Sequence, residues 1–130
     1  MSLDDIADKL VDWAVNDDRI RALWIEAPAV RDLRRPYKTL EAHVAADEPV
    51  FPSLVEDVLR GIKSIPGLKV LSAADTPRFA KEVRMELGNQ AFVLIAEQSF
   101  LLAKRPRAAV VPLVDKTGHL PHVLDYSKRS

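Results

Sequence analysis

The chain contains no cysteine. Disulfides, thiolate metal sites and cysteine nucleophiles are therefore excluded. Only four glycines occur in 130 residues, which leaves little room for a glycine-rich phosphate loop. Charge of one sign is also missing, because 19 Lys and Arg balance 19 Asp and Glu. A neutral chain does not advertise a nucleic-acid or membrane-surface binder, although local patches can still hold anions. No apolar run reaches ten residues, too short to span a bilayer. Met1 to Asp12 carries four aspartates, which argues against a secretory leader. Together these absences make a cytoplasmic protein the expectation. There is no internal repeat and no low-complexity segment.

What is present is the ordinary globular balance, 48% apolar and 29% charged, in a chain long enough for one domain with a real core. The domain is expected to span 1–130, with 119–130 as a loose tail. Ser2 to Asn16 has the period of an amphipathic helix, with Leu3, Ile6, Ala7, Leu10, Val11 and Ala14 on one face. Ser2 is its candidate N-cap, and Asp4 and Asp5 suit the positive end of the dipole. Ile20 to Glu26 and Thr39 to Ala46 read as strands, and Pro49 disfavours further pairing after the second. Between them Ala27 to Lys38 reads as an exposed, mobile loop. Ser53 to Lys63 reads as a second helix opened by a Ser53-x-x-Glu56 capping box and stopped at Pro66-Gly67. Leu68 to Ala73 is a short strand and Ala74 to Arg78 a turn. Lys81 to Leu87 and Gln90 to Glu97 form the clearest hairpin, turning at Gly88-Asn89. Ser99 to Lys104 fits either a short helix or a strand extension. Ala108 to Val114 is a last strand before the turn Asp115 to Gly118. This order predicts an α+β fold: a mixed sheet of about five or six strands covered on one face by two main helices.

Several residues invite a chemical reading. Arg31, Arg34, Arg35 and Lys38 make the loop basic, and guanidinium groups match phosphate oxygens, so these four are the candidate anion site. The plainer reading is a solvated loop with Asp32 and Glu26 as counter-ions. His119 and His122 are spaced as a helical metal pair, but Pro121 opposes a helix, and they read as tail histidines. His43 near Glu41 could act as a general base. Alternation sends neighbouring strand residues to opposite faces, so it reads instead as structural. Ser53 and Ser99 lack a nucleophile elbow. Trp13 and Trp24 fall on a helix and strand that should pack together, with Trp13 at the edge of the apolar stripe.

Leu10-Val11-Asp12-Trp13-Ala14 through Asp18-Arg19-Ile20-Arg21-Ala22-Leu23-Trp24-Ile25-Glu26 resembles the opening helix and first strand of the nucleotidyltransferase superfamily, especially its small bacterial adenylyltransferase-like members. Tyr37 to Asp47 is similar to the family's second strand, and Val110 to Gly118 to a later strand and turn. The resemblance covers a third to a half of the chain and implies a nucleotidyltransferase-like fold. In the family, the first strand runs into a Gly-Ser turn and the second carries Asp-x-Asp. Alternate positions put two carboxylates on one face, where they hold divalent metal against a triphosphate. Here Ala27-Pro28 matches the turn, and Thr39 and Glu41 match the acid pair. Proline offers no N–H, and threonine is a poor metal ligand. The third acid belongs on the strand from Gln90, where Phe92 to Ile95 contains none before Glu97.

The resemblance with these departures implies a degenerate, non-catalytic domain that acts in ligand binding or protein assembly. Its partner would be an unidentified protein or a small anionic ligand, with no membrane and no nucleic acid. An unrelated small α+β binding module is one alternative. The other is a divergent active transferase using Glu41, Asp47 and Glu97, the sole reading that calls for Mg2+. No cofactor and no metal site are otherwise expected.

Overall fold

A computed structural model describes residues 1–27, 30–75, 80–98 and 109–116 of the chain. Helix α1 spans Leu3–Asn16. Its start is a reciprocal capping box: the Ser2 hydroxyl accepts from the Asp5 N–H at 3.2 Å, and the Asp5 carboxylate accepts from the Ser2 N–H at 2.9 Å. Its end is held by Asp17, which accepts from Trp13 Nε1 at 3.2 Å and Arg19 Nη2 at 2.6 Å. Arg19 also reaches Asp57 at 2.7 Å, so one guanidinium joins the α1–strand turn to the second helix.

That second helix, α2, spans Phe51–Lys63 and follows a 3₁₀ turn at Glu48–Val50. The expected Ser53–Glu56 capping box does not form. Pro52, free of any need to donate an N–H in the first turn, starts the helix two residues earlier. Ser53 lies inside the helix, and its hydroxyl donates to the Val50 carbonyl at 3.0 Å.

The strands are β1 (Ile20–Ala27), β2 (Leu40–Ala46), β3 (Leu68–Asp75), β4 (Lys81–Leu87), β5 (Gln90–Gln98) and β6 (Ala109–Asp115). They form one six-stranded sheet in the order β3-β4-β5-β2-β1-β6. The central β2–β5 pair is parallel and every other pair antiparallel, so the sheet is mixed. The hairpin turns at Gly88, whose φ of 63° suits glycine. Val83, Met85 and Leu87 are buried, whereas Arg84 and Glu86 are exposed, as alternation predicts. Strand β3 runs two residues beyond its predicted end, to Asp75, taking in the first part of the expected turn.

Alternation gives the central strands two different faces. Leu23 and Ile25 of β1, Ala42 and Val44 of β2, and Phe92 and Leu94 of β5 join one core with Leu3, Ile6 and Ala7 of α1 and Leu54, Val58 and Ile62 of α2. Both helices therefore cover the same side, as expected. The other side carries a second, smaller cluster of Ala22, Trp24 and Ala45. Trp13 is half-buried against the main core, but Trp24 lies on the opposite face, so the two tryptophans do not pack together.

The loop before β2 is less exposed than expected. It includes a 3₁₀ turn at Val30–Leu33. Tyr37 is buried, its N–H donates to Asp4 of α1 at 3.0 Å, and its carbonyl accepts from Gln90 at 3.2 Å. The expectations for Pro28, for Thr76 to Arg78, for Ser99 to Lys104 and for the tail with His119 and His122 lie outside the described residues. No helix among the described residues is long and apolar enough to cross a membrane.

Arg19, by hydrogen-bonding to Asp17, holds that carboxyl down at about 2, against 3.8 in a free chain. A carboxyl depressed on folding stabilises the protein above its free-chain value, and that contribution disappears as pH falls through the folded value. An Asp17→Asn variant should therefore be less stable than the parent at pH 7. The gap in urea midpoint should close as pH drops from about 4 towards about 2. A gap that stays constant across this range would disprove the linkage.

Candidate functional site

The sheet face away from the helices carries the chain's densest polar cluster among the described residues. Trp24 and Glu26 come from β1, Glu41 and His43 from β2, and Glu97 from β5. The members of each pair are two positions apart, so strand pleating delivers both to one face. The antiparallel register sets Trp24 directly opposite His43, and the parallel register sets Glu97 beside Ala45. Trp24 and His43 stack with ring centroids 5.2 Å apart and planes inclined by 14°.

His43 is the hub. Its Nδ1 lies 2.7 Å from Glu97 Oε1, and its Nε2 lies 2.8 Å from Glu41 Oε2 and 3.1 Å from Glu26 Oε2. Trp24 Nε1 donates to the same Glu26 oxygen at 2.9 Å. Glu26, His43 and Glu97 are buried, and Glu41 has 44% of its side chain exposed. The arrangement thus has a closed interior and one open side, at Glu41. Burial opposes a charge on the His43 ring, but the hydrogen bonds to Glu41 and Glu97 outweigh it, and its pKa is raised above the ordinary 6.5. One oxygen each from Glu26 and Glu41, together with a His43 ring nitrogen, lies within 4.8 Å of the others, close enough to converge on one metal ion.

Beside this cluster is a cleft of about 150 Å³ lined by Glu26, Tyr37, Thr39, Glu41 and Val93 among others. Thr39, just before β2, and Glu41, within it, both line the cleft. Of the three weak catalytic candidates, Glu41 and Glu97 both reach His43. Asp47 lies past the end of β2, six residues from Glu41, and its carboxylate is 4.0 Å from Arg21. Six residues of strand span about 20 Å.

The reading of His43 needs correction. Glu41 and His43 are two apart, not adjacent, so alternation brings them together and the structure hydrogen-bonds them. Glu26 is buried in the cluster, 3.1 Å from His43. A signal for both was available in Trp24-x-Glu26 and Glu41-x-His43 on two consecutive predicted strands. In the basic loop, Arg31, Arg34, Arg35 and Lys38 are all exposed. Arg35 is committed to Asp8 at 2.7 Å and lies 5.3 Å above the Tyr37 ring, so it anchors the loop to α1.

In chelator-treated protein, the His43 ring signals should titrate with a midpoint above 6.5 by NMR. Because the folded value is raised, the stabilisation from protonated His43 is complete below pH 6.5. It is lost as pH rises through the folded value. A midpoint below 6.5 would show that burial dominates the glutamates.

No family model matches the chain, and no curated protein resembles it closely enough to count as a relative.

Proposed function

We propose that the chain is a nucleotidyltransferase-like domain that does not transfer nucleotides and instead binds a small ligand at the cleft beside Glu41. The observation that carries this reading is that Thr39 and Glu41 line one cleft, with Glu41 already hydrogen-bonded to His43. A transferase of the resembled kind needs oxygen ligands clustered tightly enough to neutralise two divalent ions and a triphosphate. Here one of the two matched positions is a neutral hydroxyl. The other carboxylate faces an imidazole.

Cleft size points the same way. Sites for drug-sized ligands occupy about 300–1,000 Å³. At about 150 Å³ the cleft suits an ion with its water or a very small molecule, and not a nucleoside triphosphate. The active alternative built on Glu41, Asp47 and Glu97 gains no support, because about 20 Å of strand separates Asp47 from Glu41.

Purified protein incubated with labelled triphosphates, Mg2+ or Mn2+ and a panel of acceptors, itself included, is expected to show no turnover. Turnover that vanishes in Glu41→Gln would overturn the proposal. The complementary variant is Thr39→Asp, which puts a second carboxylate on the Glu41 wall. It should raise Mg2+ affinity at least fivefold in a calorimetric titration. Unchanged Mg2+ affinity in this variant would count against the nucleotidyltransferase-like reading of the two positions.

A further inference from the structure

We propose that Glu26, Glu41 and His43 form a binding site for a single divalent transition-metal ion of the Zn2+ class, with Glu97 and Trp24 as its orienting partners. This names the ligand class of the small-ligand site proposed above. It rests on that reading for the location and not on the family resemblance.

The first support is convergence. Three donor atoms from two adjacent central strands lie within 4.8 Å of one another. His43 Nε2 is 2.8 Å from the Glu41 oxygen and 3.1 Å from the Glu26 oxygen. Metal bonds of about 2.0–2.2 Å to N and O donors at tetrahedral angles set neighbouring donors about 3.3–3.6 Å apart. The two contacts to the nitrogen therefore need to lengthen only by tenths of an ångström, while the two carboxylate oxygens start no more than 4.8 Å apart. Glu41, half-exposed at the cleft, can make much of that adjustment.

The second support lies behind the donors. A metal-binding histidine commonly directs its other ring nitrogen at a carboxylate, which orients the ring and raises its basicity. Glu97 Oε1 stands 2.7 Å from His43 Nδ1 in that role. Assigning the Nδ1 hydrogen to this contact points the Nε2 lone pair at Glu26 and Glu41. Glu26 is oriented in turn by the indole N–H of Trp24, which donates to it at 2.9 Å. Trp24 also stacks on His43 and fixes the ring plane. Every buried donor in the set is thus held by a neighbour on the same rigid sheet.

The donor types select the ion. An imidazole nitrogen with two carboxylate oxygens suits Zn2+, Co2+ or Mn2+. Mg2+ prefers oxygen and keeps several waters, so a nitrogen at the centre of the set disfavours it. Three protein ligands leave a fourth tetrahedral position open. The cleft at Glu41 offers room for a water there.

The test is calorimetric titration of the metal-stripped full chain with Zn2+, Co2+, Mn2+ and Mg2+. We expect one Zn2+ per chain, bound at least 100-fold more tightly than Mg2+, and a visible tetrahedral absorption band with Co2+. Glu41→Gln, at a half-exposed position, should weaken Zn2+ at least tenfold. Glu97→Gln should weaken it about 10–100-fold as an orienting partner. The double variant His119→Ala with His122→Ala should bind as the parent does. If Glu41→Gln fails to fold, Mn2+ added to the parent must broaden first the amide signals around Glu26, Glu41 and His43. Absence of one-to-one binding would overturn the proposal. So would binding that Glu41→Gln leaves unchanged, binding lost with the two tail histidines, or broadening centred away from Glu26, Glu41 and His43. Failure of Zn2+ to bind sinks the metal site, whereas failure of Thr39→Asp to gain Mg2+ sinks the nucleotidyltransferase-like reading alone.

Discussion

The imidazole of His43 holds three strands in one register. It touches Glu97 on β5 through one nitrogen and Glu41 and Glu26 through the other, while Trp24 of β1 lies flat against it. Strand side chains alternate, so a one-residue slip of β2 would turn His43 and Glu41 toward the helices. The same slip would send Ala42 and Val44 to the polar face. Both outcomes are costly: a charged cluster would enter the apolar core, and buried glutamates on β1 and β5 would lose their partner. The polar network therefore specifies the pairing that the hydrophobic face makes stable.

That division of labour explains how buried carboxylates are tolerated. Taking Glu26 and Glu97 out of water costs several kcal/mol each before partners are counted. Exchanging such a network for well-packed apolar residues is often neutral or stabilising in small proteins, so the cluster is weak evidence for stability as such. The stability is better sought on the other side, where Leu3, Ile6, Leu23, Ile25, Leu54, Phe92 and Leu94 are almost fully buried between sheet and helices. Burying a large aliphatic or aromatic side chain contributes about 1.5–3 kcal/mol. Freed from holding the fold together, the polar face can carry chemistry.

Periodicity made most of the architecture legible. Leu3, Ile6 and Ala14 mark α1 by spacing alone, and Val83-x-Met85-x-Leu87 followed by Gly88-Asn89 marks the β4–β5 hairpin, because both signals are local. The start of α2 was misplaced for an equally local reason. Ser53-x-x-Glu56 has the form of a capping box, but Pro52 fits the first turn and moves the start to Phe51. The parallel β2–β5 pairing is not a local property. It joins residues more than fifty positions apart, and only this pairing brings Glu97 to His43. Glu41 and His43 did share a visible face. Their separation from Glu26 and Glu97 along the chain hid the cluster until strand order was known.

The same geometry bears on what the sheet can do. An acid pair of the transferase type uses alternate strand positions to hold hard cations through oxygen alone. In this chain the alternation continues one step, from Thr39 and Glu41 to His43, and the third position supplies nitrogen. The proposed donor set therefore centres on His43, next to the buried glutamates of β1 and β5. An ion placed there would be gripped by side chains with little freedom to move, behind a cleft too small for a nucleotide. Tight, fixed coordination of one ion and loose, water-rich bridging of two ions to a triphosphate make opposite demands on a site. On the proposed reading, a donor set placed one step further along a rigid strand meets the first demand and not the second.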